Sequence, residues 1–277
     1  MIKPVLLTLL FHFSLQAANF QVVEKQIGSS KLTFVRNVQA EKDQKGEEKF
    51  YNTKADFALI ERLAPLNKLT LASITAESLK SLTAEEFNQL YARLQSGPPL
   101  QGDYKGTVLQ KSNVFMSVKK KILKNLKLEG ALATAVAALC QKNEDCLYEM
   151  IWKGKRFLPK NDLGQIEAQT LLQLPVGSLA LFPMNTYCGI SQIDARKESH
   201  VTDGNFADDF SHYVAMRDEF ITRKQMSITE EYRMVHPGLY IGKVYSNKIF
   251  LFNVSLESNS PQTKESANAC FDGSKTR

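Results

Sequence analysis

Residues 225–256 read QMSITEEYRMVHPGLYIGKVYSNKIFLFNVSL, and this stretch decides the fold class. Pro237-Gly238 and Ser246-Asn247 are turn dipeptides that cut it into three runs. Gln225–Val235, Leu239–Tyr245 and Ile249–Leu256 are each rich in β-branched and aromatic residues. In the last run the spacing places Phe250, Phe252, Val254 and Leu256 on one face. Links this short join antiparallel neighbours, because a parallel crossover needs a dozen or more residues.

The same grammar extends upstream. Gly102–Leu109 opens a strand after a turn, and Trp152–Phe157 is a second, stopped by Pro159. Between Ile166 and Leu174, apolar residues alternate with Glu167, Gln169 and Gln173, the pattern of a half-buried strand. Met184–Ile193 and Arg196–Asp203 supply two more. Seven or eight consecutive strands predict an antiparallel sheet, closed or nearly closed. Within it, Val114, Val118, Ile122 and Leu126 are spaced as one helix stripe, with Lys120, Lys124 and Lys127 opposite. That pattern suits a core-packed helix with a solvated face, or a helix lying on an anionic membrane surface.

Ahead of the sheet the pattern is different. Lys31–Val35 predicts a short strand, and residues 40–50 (AEKDQKGEEKF) read as a solvated loop. Ala55–Leu63 reads as helix up to Pro65. Thr83 and Glu86 have the spacing of a capping box, followed by Phe87, Leu90, Tyr91 and Leu94 on one stripe, with Gly97-Pro98-Pro99 as the stop. The expected fold is therefore α+β. A mainly helical N-terminal region with a short strand or hairpin (18–100) precedes a barrel domain with inserted helices (101–257) and a polar tail (258–277).

Residues 1–17, MIKPVLLTLLFHFSLQA, have the order of a secretory signal peptide: Lys3, then an apolar run, then a small residue, Ala17. The expected location is periplasmic or secreted, with the mature chain starting near Ala18. In an oxidising compartment the four cysteines read as two disulfides, preferably Cys140–Cys146 and Cys188–Cys270. No CxxC or HxxxH spacing supports a metal, and no cofactor is expected. Hydrophobic residues at 43% and charged residues at 23% fit a folded chain. A net charge of +6 without a nucleic-acid fold signature points away from nucleic acid. An anionic lipid or envelope surface is the partner such a charge admits.

Three segments are candidate sites. The first is Trp152-Lys-Gly-Lys155-Arg-Phe157, where the chain's single Trp lies two residues before Gly154, a place for close approach by a ligand or by another backbone. The second runs from Asp194 to Asp203; on a strand, Arg196, Glu198, His200 and Thr202 project to one side, toward water or a wet cavity. The third, Thr229–Gly242, holds Arg233, His236 and Tyr240. Arg196, Glu198 and Arg233 are expected to converge near Trp152 and Tyr240, an arginine–carboxylate arrangement suited to an anionic head group. No G-x-S-x-G, H-E-x-x-H or phosphate-cradling glycine loop is present, and Asp208-Asp209 point apart on a strand. No catalytic residue is assigned.

From Tyr187 to Leu256 the chain resembles an uncharacterised group of bacterial proteins. These carry D-x-R-x-E-S, a D-D-[FL] step and R-M-V-x-P-G-L-Y-x-G, here Asp194–Ser199, Asp208–Phe210 and Arg233–Gly242. Trp152–Phe157 is similar to the W-x-G-K-x-F of small lipocalin-like domains, including the GXWXG group, although Met150 replaces that group's first Gly. The resemblance implies a lipocalin-like barrel holding a small apolar or amphiphilic ligand. The expected function is thus an exported binding protein, with Trp152, Lys155, Phe157, Arg196, Glu198, Arg233 and Tyr240 as the ligand-binding set. An envelope lipid-modifying enzyme and a ligand-free interaction module are the alternatives.

Overall fold

Strand pairing organises the chain. In the computed structural model the described residues are 20–37, 61–62, 65–112, 152–159, 166–174, 177–191, 197–205, 227–246 and 248–258. They fall into two units, the first built from residues up to Ile74 and Leu82–Arg93, the second from Thr75–Ser81 and Leu94 onward.

In the first unit, β1 (Phe20–Ile27) and β2 (Ser30–Asn37) form an antiparallel hairpin closed at Gly28-Ser29. Gly28 has φ +61°, a left-handed conformation that favours glycine. Helix α1 (Lys68–Ala72) starts at Asn67, whose Oδ1 accepts from Leu69 N at 2.9 Å. Helix α2 (Ala84–Arg93) begins with the expected capping box: Thr83 N donates to Glu86 at 2.8 Å and Glu86 N to Thr83 Oγ1 at 3.2 Å. Gln89 accepts from Val35 N at 2.8 Å and donates to Val35 O at 2.5 Å, so a helix side chain serves the edge of β2. The mainly helical N-terminal region is not supported: among the described residues it is a hairpin with short helices, a five-residue α1 and a ten-residue α2. Period-2 segments before residue 40 form the hairpin, and most of the helix expected over Ala55–Leu63 lies outside the described residues.

The second unit is a closed antiparallel barrel of eight strands: β3 (Gly102–Lys111), β4 (Trp152–Phe157), β5 (Ile166–Leu174), β6 (Gly177–Ile190), β7 (Glu198–Asn205), β8 (Ser227–His236), β9 (Leu239–Ser246) and β10 (Ile249–Ser258). Each strand pairs with its sequence neighbours and β10 closes on β3. Closure leaves no sheet edge. The helix expected over Val114–Leu126, the solvated loop 40–50, the signal segment 1–17 and the tail lie outside the described residues.

Among the described residues five bulges interrupt the side-chain alternation, at Leu109 on β3, at Val235 on β8 and at three further places. An extra residue at Lys153 on β4 brings Trp152 and Phe157, five apart, to the same inner face. A second, on β6 just before Met184, takes in Pro183, which has no N–H for a ladder. A third, between Phe250 and Phe252 on β10, turns Phe250 outward, against the expected common face with Phe252, Val254 and Leu256. Phe250 packs edge-on to Tyr245 at 5.9 Å and lies under Lys243 Nζ at 5.0 Å.

Segment Leu94–Leu100 lies across one end of the barrel. Gln95 bridges Met234, with Met234 N donating to Gln95 O at 2.8 Å. His200 Nε2 meets Gly97 O at 3.2 Å and the Tyr240 hydroxyl donates to Pro98 O at 3.0 Å. Leu100 then enters the core. Gly97 (φ +74°) leaves no space for a side chain, since a Cβ there would lie 2.7 Å from Met234 Cβ.

Candidate functional site

The barrel interior has two zones. At the crossed end, Tyr104 meets Phe157 at 5.5 Å and Tyr240 at 5.8 Å, and Phe157 meets Tyr232 at 6.4 Å, all edge to face. His200 stands 6.0 Å from the Tyr240 ring. These buried rings, with Leu100 and Leu256, fill that end. Burial drives the His200 imidazole down to about 4, against contacts with the Gly97, Pro98 and Ser96 backbone that act the other way. Burial, then the neighbouring Tyr104, raises the Tyr240 hydroxyl well above its ordinary value. Both groups are neutral near pH 7 and suited to fixing the crossing segment.

The second zone is polar. Lys155, 1% exposed, lies 3.0 Å from Glu230 Oε1. Its Nζ also donates to Thr170 Oγ1 at 3.0 Å and contacts Met184 Sδ at 3.2 Å. The Tyr232 hydroxyl donates to the second Glu230 oxygen, Oε2. Thr186 and Thr202 share a hydrogen bond of 3.0 Å across β6 and β7. Strand register explains the grouping: Lys155 is opposite Thr170, Thr186 opposite Thr202, and Thr202 opposite Glu230. Two inward glycines let aromatic rings lie against the wall. The Trp152 ring lies over Gly106, where a Cβ would come within 2.5 Å of Cζ3, and the Tyr232 ring lies over Gly242, within 2.6 Å of Cε1. Trp152, Val108 and Thr170 remain half-buried, so solvent reaches this zone on their side.

Of the expected ligand-binding set, Trp152, Lys155, Phe157 and Tyr240 face the interior. Glu198 is half-buried at the start of β7, opposite Ile190 and in step with inward His200. Arg196 lies outside the described residues. Arg233 does not converge with them. It alternates with Tyr232 onto the outer wall, fully buried, where its Nε donates to Ser199 Oγ at 3.0 Å. The close approach expected at Gly154 (φ +137°) is made by backbone: an added Cβ would lie 2.6 Å from Gly106 N. Glu230, the partner of Lys155, carries no mark in the sequence, because two adjacent glutamates at 230 and 231 give no sign of which one points inward.

The outer wall carries its own buried polar row. Ser191 donates to Glu231 at 2.7 Å, Lys243 meets Asn253 at 3.4 Å, and Asn253 donates to Gln110 at 2.8 Å. Burial pushes the Lys243 amine down to about 7; Glu231 opposes the shift and Arg233 reinforces it. Cys188, the Cα partner of His200, is not a free thiol. Cys140, Cys146 and Cys270 lie outside the described residues. Among the described residues no three His, Cys, Asp or Glu side chains group as metal ligands.

No family model and no curated protein matches the chain. A solved structure, of a protein from Thermomonospora curvata, is similar at a TM-score of 0.41 and 14% identity, over 70% of this chain and 98% of that one.

Proposed function

We propose that this is an exported binding protein for a small apolar or amphiphilic molecule held in the barrel, in the manner of a lipocalin-like or GXWXG-like domain. One observation carries the reading: a hydrogen-bonded ion pair, Lys155–Glu230, stands inside a barrel whose other inward residues are largely apolar and aromatic. A wall serving only as core gains more from apolar side chains of the same volume, because desolvating two charges costs several kcal/mol per ion. A few fixed polar groups in an apolar surround is also the composition of small-molecule sites. An eight-stranded barrel is wide enough for one small ligand. The sequence of residues 1–17 supports the exported location. The anionic head group expected at Arg196 and Arg233 loses Arg233 as an interior anchor. The filled aromatic zone at the crossed end favours a second reading, a packed interaction module without ligand.

Solvent extraction of the full-length protein purified from its native host separates the two. Mass spectrometry of the extract is expected to give a small amphiphile at close to one equivalent per chain. An extract without any such molecule favours the packed module.

A further inference from the structure

The barrel end opposite the crossing segment carries a cation, Lys111, whose role follows if the barrel-binding reading holds. Lys111 is the last residue of β3. It is paired with Phe252, Phe252 with Val244, and Val244 with Glu230. Residues opposed across a sheet project to the same face, so Lys111 is in step with the inner wall. It is half-buried, and a partly desolvated ammonium attracts an oxyanion more strongly than one in bulk water. Its three N–H donors let it serve a ligand alongside a neighbour in the protein.

The wall beside it is apolar. Phe252, Val108 and Trp152 belong to the interior cluster, and the Trp152 ring rests over Gly106. From Lys111 to Gly106 the strand spans roughly 15 Å, the stretch along which a tail would lie. Two carboxylates among the described strand residues are in step with the inner face. Glu230 is matched by Lys155 at 3.0 Å, and Glu198 starts β7 at the crossed end, two residues before His200. The charge left over toward the end bearing Lys111 is therefore positive. The crossed end is filled by rings, whereas Lys111, Val108 and Trp152 are half-buried and Ile249, on the same rim, is exposed.

We propose that Lys111 anchors the oxyanion head, a carboxylate or a phosphate, of an amphiphile whose tail runs inward past Phe252, Val108 and Trp152.

The test compares dodecanoate, dodecyl phosphate and dodecanol, equal in chain length, by titration calorimetry on the full chain near neutral pH. At least one anion is expected to bind about tenfold more tightly than dodecanol, and the tighter of the two names the head. Lys111→Gln should bring that anion to within about a factor of two of the alcohol. Lys248→Gln, on the exposed turn at the same end, should keep the preference. Dodecanol binding as tightly as both anions overturns the head-group assignment and leaves barrel binding intact. A preference that survives Lys111→Gln, or that is lost equally in Lys248→Gln, overturns Lys111 as the anchor. Saturable binding of none of the three overturns the barrel-binding reading as well.

Discussion

At the residue scale, the two faces of β8 carry charges with opposite consequences. Glu230 faces inward to Lys155, whereas Glu231 and Arg233 face outward into the buried wall. Arg233→Met should therefore lower stability, by about 1–3 kcal/mol, because it removes the donor that serves the buried Ser199 hydroxyl. It should leave amphiphile binding within a factor of about two. Chemical denaturation and ligand titration of one preparation check both parts. A variant with lost binding and unchanged stability would contradict the placement of Arg233. His200 gives a pH signature. An unfolded imidazole takes its proton as pH falls through 6.5, but the folded one resists until about 4. The stability due to neutral His200 is whole above pH 6.5 and is lost as pH falls toward 4, by up to about 3 kcal/mol. Melting temperature against pH should fall less steeply over that window in His200→Gln than in the unmodified chain. Parallel curves would rule out a buried neutral imidazole.

At the element scale, alternation was legible and its interruptions were not. The strands from Trp152, Ile166, Leu239 and Ile249 stand where period-2 spacing and turn dipeptides put them. A bulge adds one residue without a compositional mark, so the outward turn of Phe250 and the inward position of Trp152 depend on pairing that sequence does not display. For the same reason, convergence of Arg233 with Trp152 could not be judged from spacing along separate strands. Gly106 and Gly242 gave a weak signal, as glycines within strands, of the rings that cover them. Gly106→Ala should displace the Trp152 ring, cost about 1–3 kcal/mol and shift the tryptophan emission to the red. An unchanged emission maximum and melting temperature would show that the ring does not rest on Gly106. The capping box was readable because both partners are local, three residues apart.

At the scale of the whole molecule, closure follows from consecutive antiparallel neighbours, with β10 returning to β3. The segment across the barrel end was not legible, because Gly97-Pro98-Pro99 announces a helix stop and says nothing of His200 or Tyr240 far along the chain. If the chain is exported as proposed, its mature form is expected to begin near Ala18. Peptide mapping without reduction should link Cys188 to Cys270 and Cys140 to Cys146. Titratable thiols in the native-compartment protein, or a different linkage, would overturn that pairing. The central claim is that an amphiphile lies inside the barrel, and Trp152, the chain's single tryptophan, is a built-in reporter beside the polar zone. Its fluorescence should be quenched saturably by a brominated long-chain alcohol, with saturation near one equivalent per chain. Linear, unsaturable quenching, or none, would contradict a ligand in the barrel.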